Sequence, residues 1–302
     1  MSRTVAVTGG TGFIGSHLID ALFDAGHRVR ALTRKARADV PGIEWIAGDI
    51  ADAAALGELL TGAHALIHLA GVVRGAEQSD FDTVNVDGAR AVALAARDAS
   101  VRDALLVSSL AAREPTLSFY ARSKRSGEDA FRAAFARAAV FRPPAVYGAG
   151  DKELMPLLAL MARGIGIHPR HRGRFSLIHV DDLVGAMLAW VGGPDDCADT
   201  FELEDGAGGY RWPDVLAAVA RFRSRRVVSL GVPRFVLATA AFANELLAKR
   251  FHYAPMVTRG KVRELFHPDW VARNEPIRAA LGWQPRVGID AGLRRTLVAR
   301  TD

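Results

Sequence analysis

The 302-residue sequence points to a doubly wound parallel α/β sheet followed by a smaller α+β lobe, and three observations carry that reading. Short apolar or β-branched runs alternate with longer stretches rich in Ala, Leu and Arg through the first half of the chain. A glycine-rich segment follows the first run and opens the first helical stretch. After Pro143-Pro144 the alternation fades and the Gly and Pro punctuation becomes irregular.

The runs at 5–8, 28–32, 43–46, 65–69, 104–107 and 139–142 read as buried parallel strands, which are apolar on both faces because helices cover both. Between them 16–24, 52–60, 81–100 and 118–137 have the composition of amphipathic helices. A βαβαβ order of this kind specifies a Rossmann-type sheet with its ligand beyond the carboxyl ends of the strands. Residues 1–150 are therefore expected to form a dinucleotide-binding domain, to which segments around 175–200 are candidates to return. Residues 151–302 are expected to form mainly a substrate-binding lobe, with a helix over 155–163, a basic loop over 168–174 and a strand over 177–180.

Composition narrows the function classes. Half the residues are apolar and 24% are charged, as in a globular protein, and 39 Lys and Arg against 33 Asp and Glu give +6, which favours anionic ligands. The basic runs lack the interleaved aromatics of a nucleic-acid site, so none is expected. The single cysteine, Cys197, permits neither an internal disulfide nor a thiolate zinc site, and His168 and His171 sit among arginines without a carboxylate cluster, so no metal is expected. No apolar run approaches the ~20 residues of a membrane span and the N-terminus lacks a signal-peptide pattern, which suggests a cytoplasmic location. The apolar stretch 235–247 could line a greasy pocket or rest on a membrane. Core packing is the expectation, because only Arg234, Lys249 and Arg250 flank it.

Two constellations carry chemistry. In Thr8-Gly9-Gly10-Thr11-Gly12-Phe13-Ile14-Gly15 the glycines allow a tight turn and close backbone approach, and the helix that starts here offers free N–H groups to a pyrophosphate. Gly9, Thr11, Gly12, Phe13, Ile14 and Gly15 are thus candidate cofactor contacts. At the end of the second strand, where an acidic residue would bind the ribose of NAD, Leu32 is followed by Thr33-Arg34-Lys35. Thr33 could hydrogen-bond a 2′-phosphate and Arg34 could pair with it, which favours NADP, with NAD possible. Second, Tyr120 and Lys124 stand four residues apart, on one helix face, while Ser108 and Ser109 lie just past the fifth strand. A tyrosine of ordinary pKa ~10 needs ~3 units of depression to act as a base near neutrality, and nearby positive charge would supply it.

With these motifs the chain resembles the short-chain dehydrogenase/reductase superfamily, in the extended branch that includes the NAD-dependent epimerase/dehydratase family. Asp49-Ile50, His68-Leu69-Ala70-Gly71, Asn85-Val86-Asp87-Gly88, the segment from Arg142 to Gly148, His179-Val180-Asp181-Asp182 and the segment from Leu281 to Pro285 occur in the family's order. The resemblance implies that Asp49 and Ile50 border the adenine, that Ala70 and Gly71 line the cofactor, and that Pro143 and Val146 border the nicotinamide. It implies Ser109 as the catalytic serine, with Ser108 as fallback. Tyr120 is then the proton donor and acceptor, while Lys124 holds the ribose and depresses the tyrosine pKa. His179 and Asp181 would fix the lobe junction, Asp181 as a helix N-cap. A homodimer packed through 81–100 and 118–137 is also implied.

Departures from the family pattern bear on the reaction. Leu110 and Ala111 stand where sugar dehydratases carry acidic residues, and Pro143-Pro144 replaces the phosphate-binding asparagine of many nucleotide-sugar epimerases. The leading expectation is an NADP-dependent oxidoreductase moving hydride between nicotinamide and a carbonyl or secondary alcohol of a small, partly apolar substrate. The alternatives are a nucleotide-sugar epimerase with retained NAD(P), and a non-catalytic NADP-binding sensor or structural protein.

Overall fold

The computed structural model describes residues 2–38, 40–194, 197–251 and 253–298. The first half runs β1 (Thr4–Thr8), α1 (Phe13–Asp24), β2 (Arg28–Thr33), β3 (Ile43–Ala47), α2 (Ala53–Leu60), β4 (Ala65–His68), α3 (Gln78–Asp82), α4 (Ala89–Asp98), β5 (Asp103–Val107), α5 (Phe119–Ala134) and β6 (Ala138–Arg142). The second half adds β7 (Ala145–Tyr147), α6 (Met155–Ala162), β8 (Ile165–Pro169), β9 (Arg174–Phe175), β10 (Leu177–His179), α7 (Val180–Gly192) and β11 (Thr200–Glu202). It ends with α8 (Trp212–Arg223), β12 (Val228–Val232), α9 (Arg234–Phe251), α10 (Arg259–Leu265), β13 (Asp269–Trp270), α11 (Glu275–Leu281) and α12 (Ile289–Val298).

Seven parallel strands form one sheet in the order β11-β6-β5-β4-β1-β2-β3. The order reverses between β1 and β4, and the crevice beyond their carboxyl ends is where such a sheet takes its ligand. Alternation along each strand feeds two apolar layers. Val5 and Val7 of β1 pack with Leu18 and Leu22 of α1 and Leu183 and Met187 of α7, whereas Ala6 faces Leu59, Val92 and Phe131 on the other side. Ile277 of α11 and Trp283 join the first layer, so the chain returns to the seven-stranded sheet after residue 150 through α7 and β11 and again through 277–283. A third cluster, around Tyr147, Met161, Leu216, Val219 and Leu293, is the core of the C-terminal lobe.

Several sequence expectations need correction. The helix expected over 81–100 begins earlier, at Gln78, and is interrupted by a π-helical turn at Thr83–Gly88. The helix expected over 118–137 ends at Ala134, where Phe135 turns extended and buries itself against the sheet. The 168–174 segment is no free loop. His168 lies in β8, paired with β12, stacks on Trp212 and bonds Ser229, while Arg174 in β9 donates to the carbonyl of Gly208. The N-cap of α7 is His179, whose Nδ1 accepts from the Asp181 N–H at 3.2 Å; Asp181 sits in the first turn. Core packing fails for 235–247, because Phe235, Phe242, Leu246 and Leu247 are all exposed.

Candidate active site

Backbone geometry explains the glycine segment. Gly9 has φ +72°, and a Cβ there would lie 2.7 Å from the Ala70 nitrogen; a Cβ on Gly15 would lie 2.2 Å from the Gly9 carbonyl oxygen. The segment folds this tightly only with hydrogen at both positions. Gly12 caps α1 without a side chain, which leaves the N–H groups of Phe13, Ile14 and Gly15 at the helix start to meet an anion. Thr11 is exposed beside them. Across the switch point Thr8 Oγ1 lies 2.5 Å from His68 Nδ1 and 3.4 Å from the Ala70 nitrogen, joining the ends of β1 and β4. Burial drives the His68 pKa down to about 3, so this imidazole is neutral and ties the strands together.

At the end of β2 the Thr33 hydroxyl is buried, donates to the Lys35 carbonyl at 2.8 Å and accepts the Lys35 N–H. These two bonds shape the turn that presents Arg34. Arg34 is exposed and has no partner among the described residues. Asp49 accepts the Ala51 N–H, and Ile50 packs where a Cβ on Gly88 would come within 2.4 Å of its Cδ1.

The sequence places Tyr120 and Lys124 on α5, and the fold brings both to the carboxyl edge of the sheet. Ser118 caps α5 by accepting the Ala121 N–H at 2.9 Å, and its own hydroxyl donates to Glu264 of α10. Lys124 Nζ donates to the Val107 carbonyl at 3.1 Å and lies 3.8 Å from where a Cβ on Gly71 would stand, spanning the ends of β5 and β4. Burial lowers its pKa to about 8, against a smaller upward pull from Glu128. Ser109 accepts the Ala111 N–H at 3.2 Å, and its hydroxyl pulls the Tyr120 pKa downward. Ser108 is buried, its hydroxyl without a partner among the described residues. Pro143 is buried behind this edge and accepts the Leu110 N–H at 2.8 Å; Val146 is half-buried in β7.

Burial raises the Tyr120 pKa; the Ser109 hydroxyl and the charge of Lys261 oppose the rise, and Glu264 and Glu153 add to it. Lys124, which the resemblance assigns to depressing this pKa, turns its ammonium to the Val107 carbonyl, and Lys261 of α10 pulls the phenol's pKa downward. Lys261 pairs with Glu264 at 3.0 Å. The motif containing Asn85 carried no assigned role, yet this buried amide accepts the Val72 N–H and donates to the Val72 carbonyl and to Ser123 Oγ, fixing the loop after β4 against α5. Asn85 was visible as part of a motif; Lys261 and Glu264, some 140 residues from Tyr120, gave no local signal.

A cleft of about 680 Å³ lies apart from these groups, lined by Arg113, Arg142, Arg174 and Arg273 among others. Arg142 in it is clasped by Glu128, and neither Ser109, Tyr120 nor Lys124 borders it. Among the described residues no group of three or more His, Cys, Asp and Glu is placed to hold a metal ion.

Residues 5–200 match the model of the NAD dependent epimerase/dehydratase family. The chain belongs to that family. Among its members the chain is 38% identical to a ceramide reductase of Caulobacter vibrioides, over 97% of this chain and 93% of the relative. It is 28% identical to a 2-alkyl-3-oxoalkanoate reductase of Stenotrophomonas maltophilia, over 96% and 97%. Solved structures share the fold at lower identity. MoeE5 in complex with UDP-glucuronic acid and NAD superposes with a TM-score of 0.77 at 20% identity, covering all of both chains. UDP-glucose 4-epimerase of Thermotoga maritima gives 0.75 at 20% identity, over 99% and 98%. This epimerase/dehydratase family member is an NAD(P)-dependent oxidoreductase of the extended short-chain dehydrogenase/reductase type.

Proposed function

We propose that the protein is an NADPH-dependent reductase of long-chain ketones whose carbonyl lies at the third carbon from a polar head. The observation that carries the reaction is the placement of Tyr120 and Lys124 on α5 at the carboxyl edge of the sheet, where Lys124 Nζ reaches the Val107 carbonyl two residues before Ser109, with no acid following Ser109. The substrate class is supported by the two reductase relatives. A ceramide has a secondary alcohol at its third carbon beside an N-acyl group, and a 2-alkyl-3-oxoalkanoate has its ketone at the same place beside an alkyl branch. The apolar wall expected from 235–247 is no part of the support, since those side chains face outward.

The glycine cradle, the uncapped start of α1 and Lys124 beside Gly71 fit a nicotinamide dinucleotide. When bound, that cofactor supplies the hydride taken up by the ketone carbon. Ser109 orients the ketone oxygen and Tyr120 Oη donates its proton to it, yielding the secondary alcohol; solvent then restores the phenol. Lys124 keeps a positive charge at this edge. Arg34, unpaired at the end of β2, is the group we assign to a 2′-phosphate. From the resemblance we retain a homodimer packed through α4 and α5, which sedimentation equilibrium checks.

Titration with both cofactors tests the phosphate assignment. We expect NADPH to bind at least about tenfold more tightly than NADH, a difference of ~1.4 kcal/mol, and Arg34→Ala to erase the difference. Substrate class is tested with a 3-oxo N-acyl amino alcohol, a 2-alkyl-3-oxoalkanoate and UDP-sugars. A reductase consumes one NADPH per alcohol formed. Sugar epimerisation without net loss of nicotinamide absorbance, and silence on both ketones, would replace this reading with the epimerase.

A further inference from the structure

α9 is built inside out. Of its 18 residues only Ala241 and Ala248 are buried, two turns apart on one narrow stripe of small side chains. Two polar residues at its middle turn toward the protein: Asn244 Nδ2 donates to the Val257 carbonyl at 2.9 Å, and Glu245 accepts from both the backbone N–H and Nε of Arg259 at 2.7 Å. Its large apolar residues turn outward. Phe235 is 72% exposed, Phe242 48%, Leu246 54% and Phe251 66%. Phe235, Phe242 and Leu246 follow one another at seven and four residues, the spacing of a single helix face. β12 runs into α9 through Pro233, and the pairs Val228–Ile165 and Leu230–Ile167 of the β12–β8 ribbon are exposed as well.

Charge accompanies the apolar surface. Residues 221–263 contain ten Lys and Arg and a single acid, Glu245, whereas the whole chain nets only +6, so the rest of the molecule is net negative. Arg225, Arg226, Arg234, Lys249 and Arg250 are exposed and pair with no acid among the described residues. Arg234 stands at the start of α9 and Lys249 and Arg250 at its end, while Arg225 and Arg226 precede the exposed β12 strand that leads into it; long cationic side chains there can reach headgroup level while the rings between them enter the acyl boundary. A second copy of the chain is a poor occupant, because a two-fold contact would set this cationic segment against itself.

We infer that the outer face of α9 docks the protein on an anionic lipid bilayer, lying in the interface without crossing it. Among the described residues no helix is long and apolar enough to span a membrane. α9 packs on α10, whose Glu264 holds the Ser118 cap of the helix bearing Tyr120, so the docking face is one helix removed from the phenol. The inference goes beyond the substrate assignment and stands whether or not the substrate is a lipid ketone.

Cosedimentation of the full chain with phosphatidylcholine vesicles, with and without phosphatidylglycerol, tests it. The anionic vesicles are expected to bind at least about tenfold more tightly than the neutral ones, with binding weakened by salt. The pair Phe235→Ser and Leu246→Ser should cost about tenfold or more in affinity while leaving thermal unfolding unchanged, since both side chains are exposed. Arg225→Glu with Arg226→Glu, which touches no core residue, should remove the preference for anionic vesicles. Failure of the wild-type chain to sediment with either vesicle would overturn the inference. So would vesicle binding that both variants retain, or a solution dimer that the α9 pair disrupts without changing vesicle binding.

Discussion

Tyr120, Ser109 and Lys124 acquire their properties from burial at one end of the sheet. A phenol whose pKa is raised above its ordinary ~10 stays protonated through neutral and mildly alkaline solution, which suits a proton donor for ketone reduction. Lys124, with a pKa of about 8, is the group that changes charge first as pH rises. It is cationic below that value and neutral above it. The kcat/KM for ketone reduction should therefore be level between neutrality and pH 7.5, then fall with a midpoint near pH 8. A profile that stays level to pH 10 would mean that the Lys124 charge is not needed. The same depression has a stability sign: between about 8 and the unfolded value of ~10.4 the unfolded chain binds the extra proton, so Lys124 makes stability rise with pH across that window. Tyr120→Phe should keep the fold and cofactor affinity and lower turnover by about 100-fold or more, because only the transferable proton is lost.

α5 is set by two close contacts that its amphipathic pattern does not announce. One is the cap at Ser118, reached by Glu264 of α10; the other is Gly127, where a Cβ would stand 2.1 Å from the Asn85 carbonyl oxygen in the π-helical turn. Backbone lies at that distance, so no rotamer change can relieve the clash. Gly127→Ala should destabilise the protein by about 1–3 kcal/mol in urea unfolding, less the small helix-propensity gain of alanine, and should displace Asn85 from Val72. A variant as stable as the wild type, with unchanged cofactor affinity, would show that α5 and the turn can separate freely. The helix itself was legible in the sequence, with the four-residue spacing of Tyr120 and Lys124. Its exact end and the interruption at 83–88 were not, because Phe135 and Asn85 obey tertiary partners that outweigh local propensity.

Chain from the last quarter of the sequence returns to the apolar layer of the seven-stranded sheet. Asp182, buried in α7, accepts the N–H groups of Arg286 and Val287, each at 2.9 Å, and thereby holds the segment that inserts Trp283 into the first apolar layer. Asp182→Ala would strand two backbone donors, at a cost of about 1–3 kcal/mol each, and Trp283→Ala would open a cavity costing about 3–5 kcal/mol. Because both sites belong to the core of the sheet, each variant should shift the whole unfolding transition as followed by far-ultraviolet circular dichroism. Early loss of the C-terminal segment alone, with the main transition unmoved, would contradict that placement.

The positions of six strands, the glycine turn, and the placement of Tyr120 and Lys124 on one helix could all be read from residue order, since each depends on neighbours within a few positions: alternation of apolar residues, freedom of glycine, the pitch of a helix. What lay beyond such reading depends on residues far apart in the chain. The seventh strand comes from 200–202, and a cation that pulls the Tyr120 pKa downward is Lys261. The Thr33 hydroxyl bonds within its own turn and the His168 ring stacks on Trp212. The apolar run at 235–247 shows the difference most directly. Its hydrophobicity is plain in the sequence, but whether such a helix faces a core or the outside is decided by which side chains the rest of the molecule leaves room to cover, and here it covers only Ala241 and Ala248.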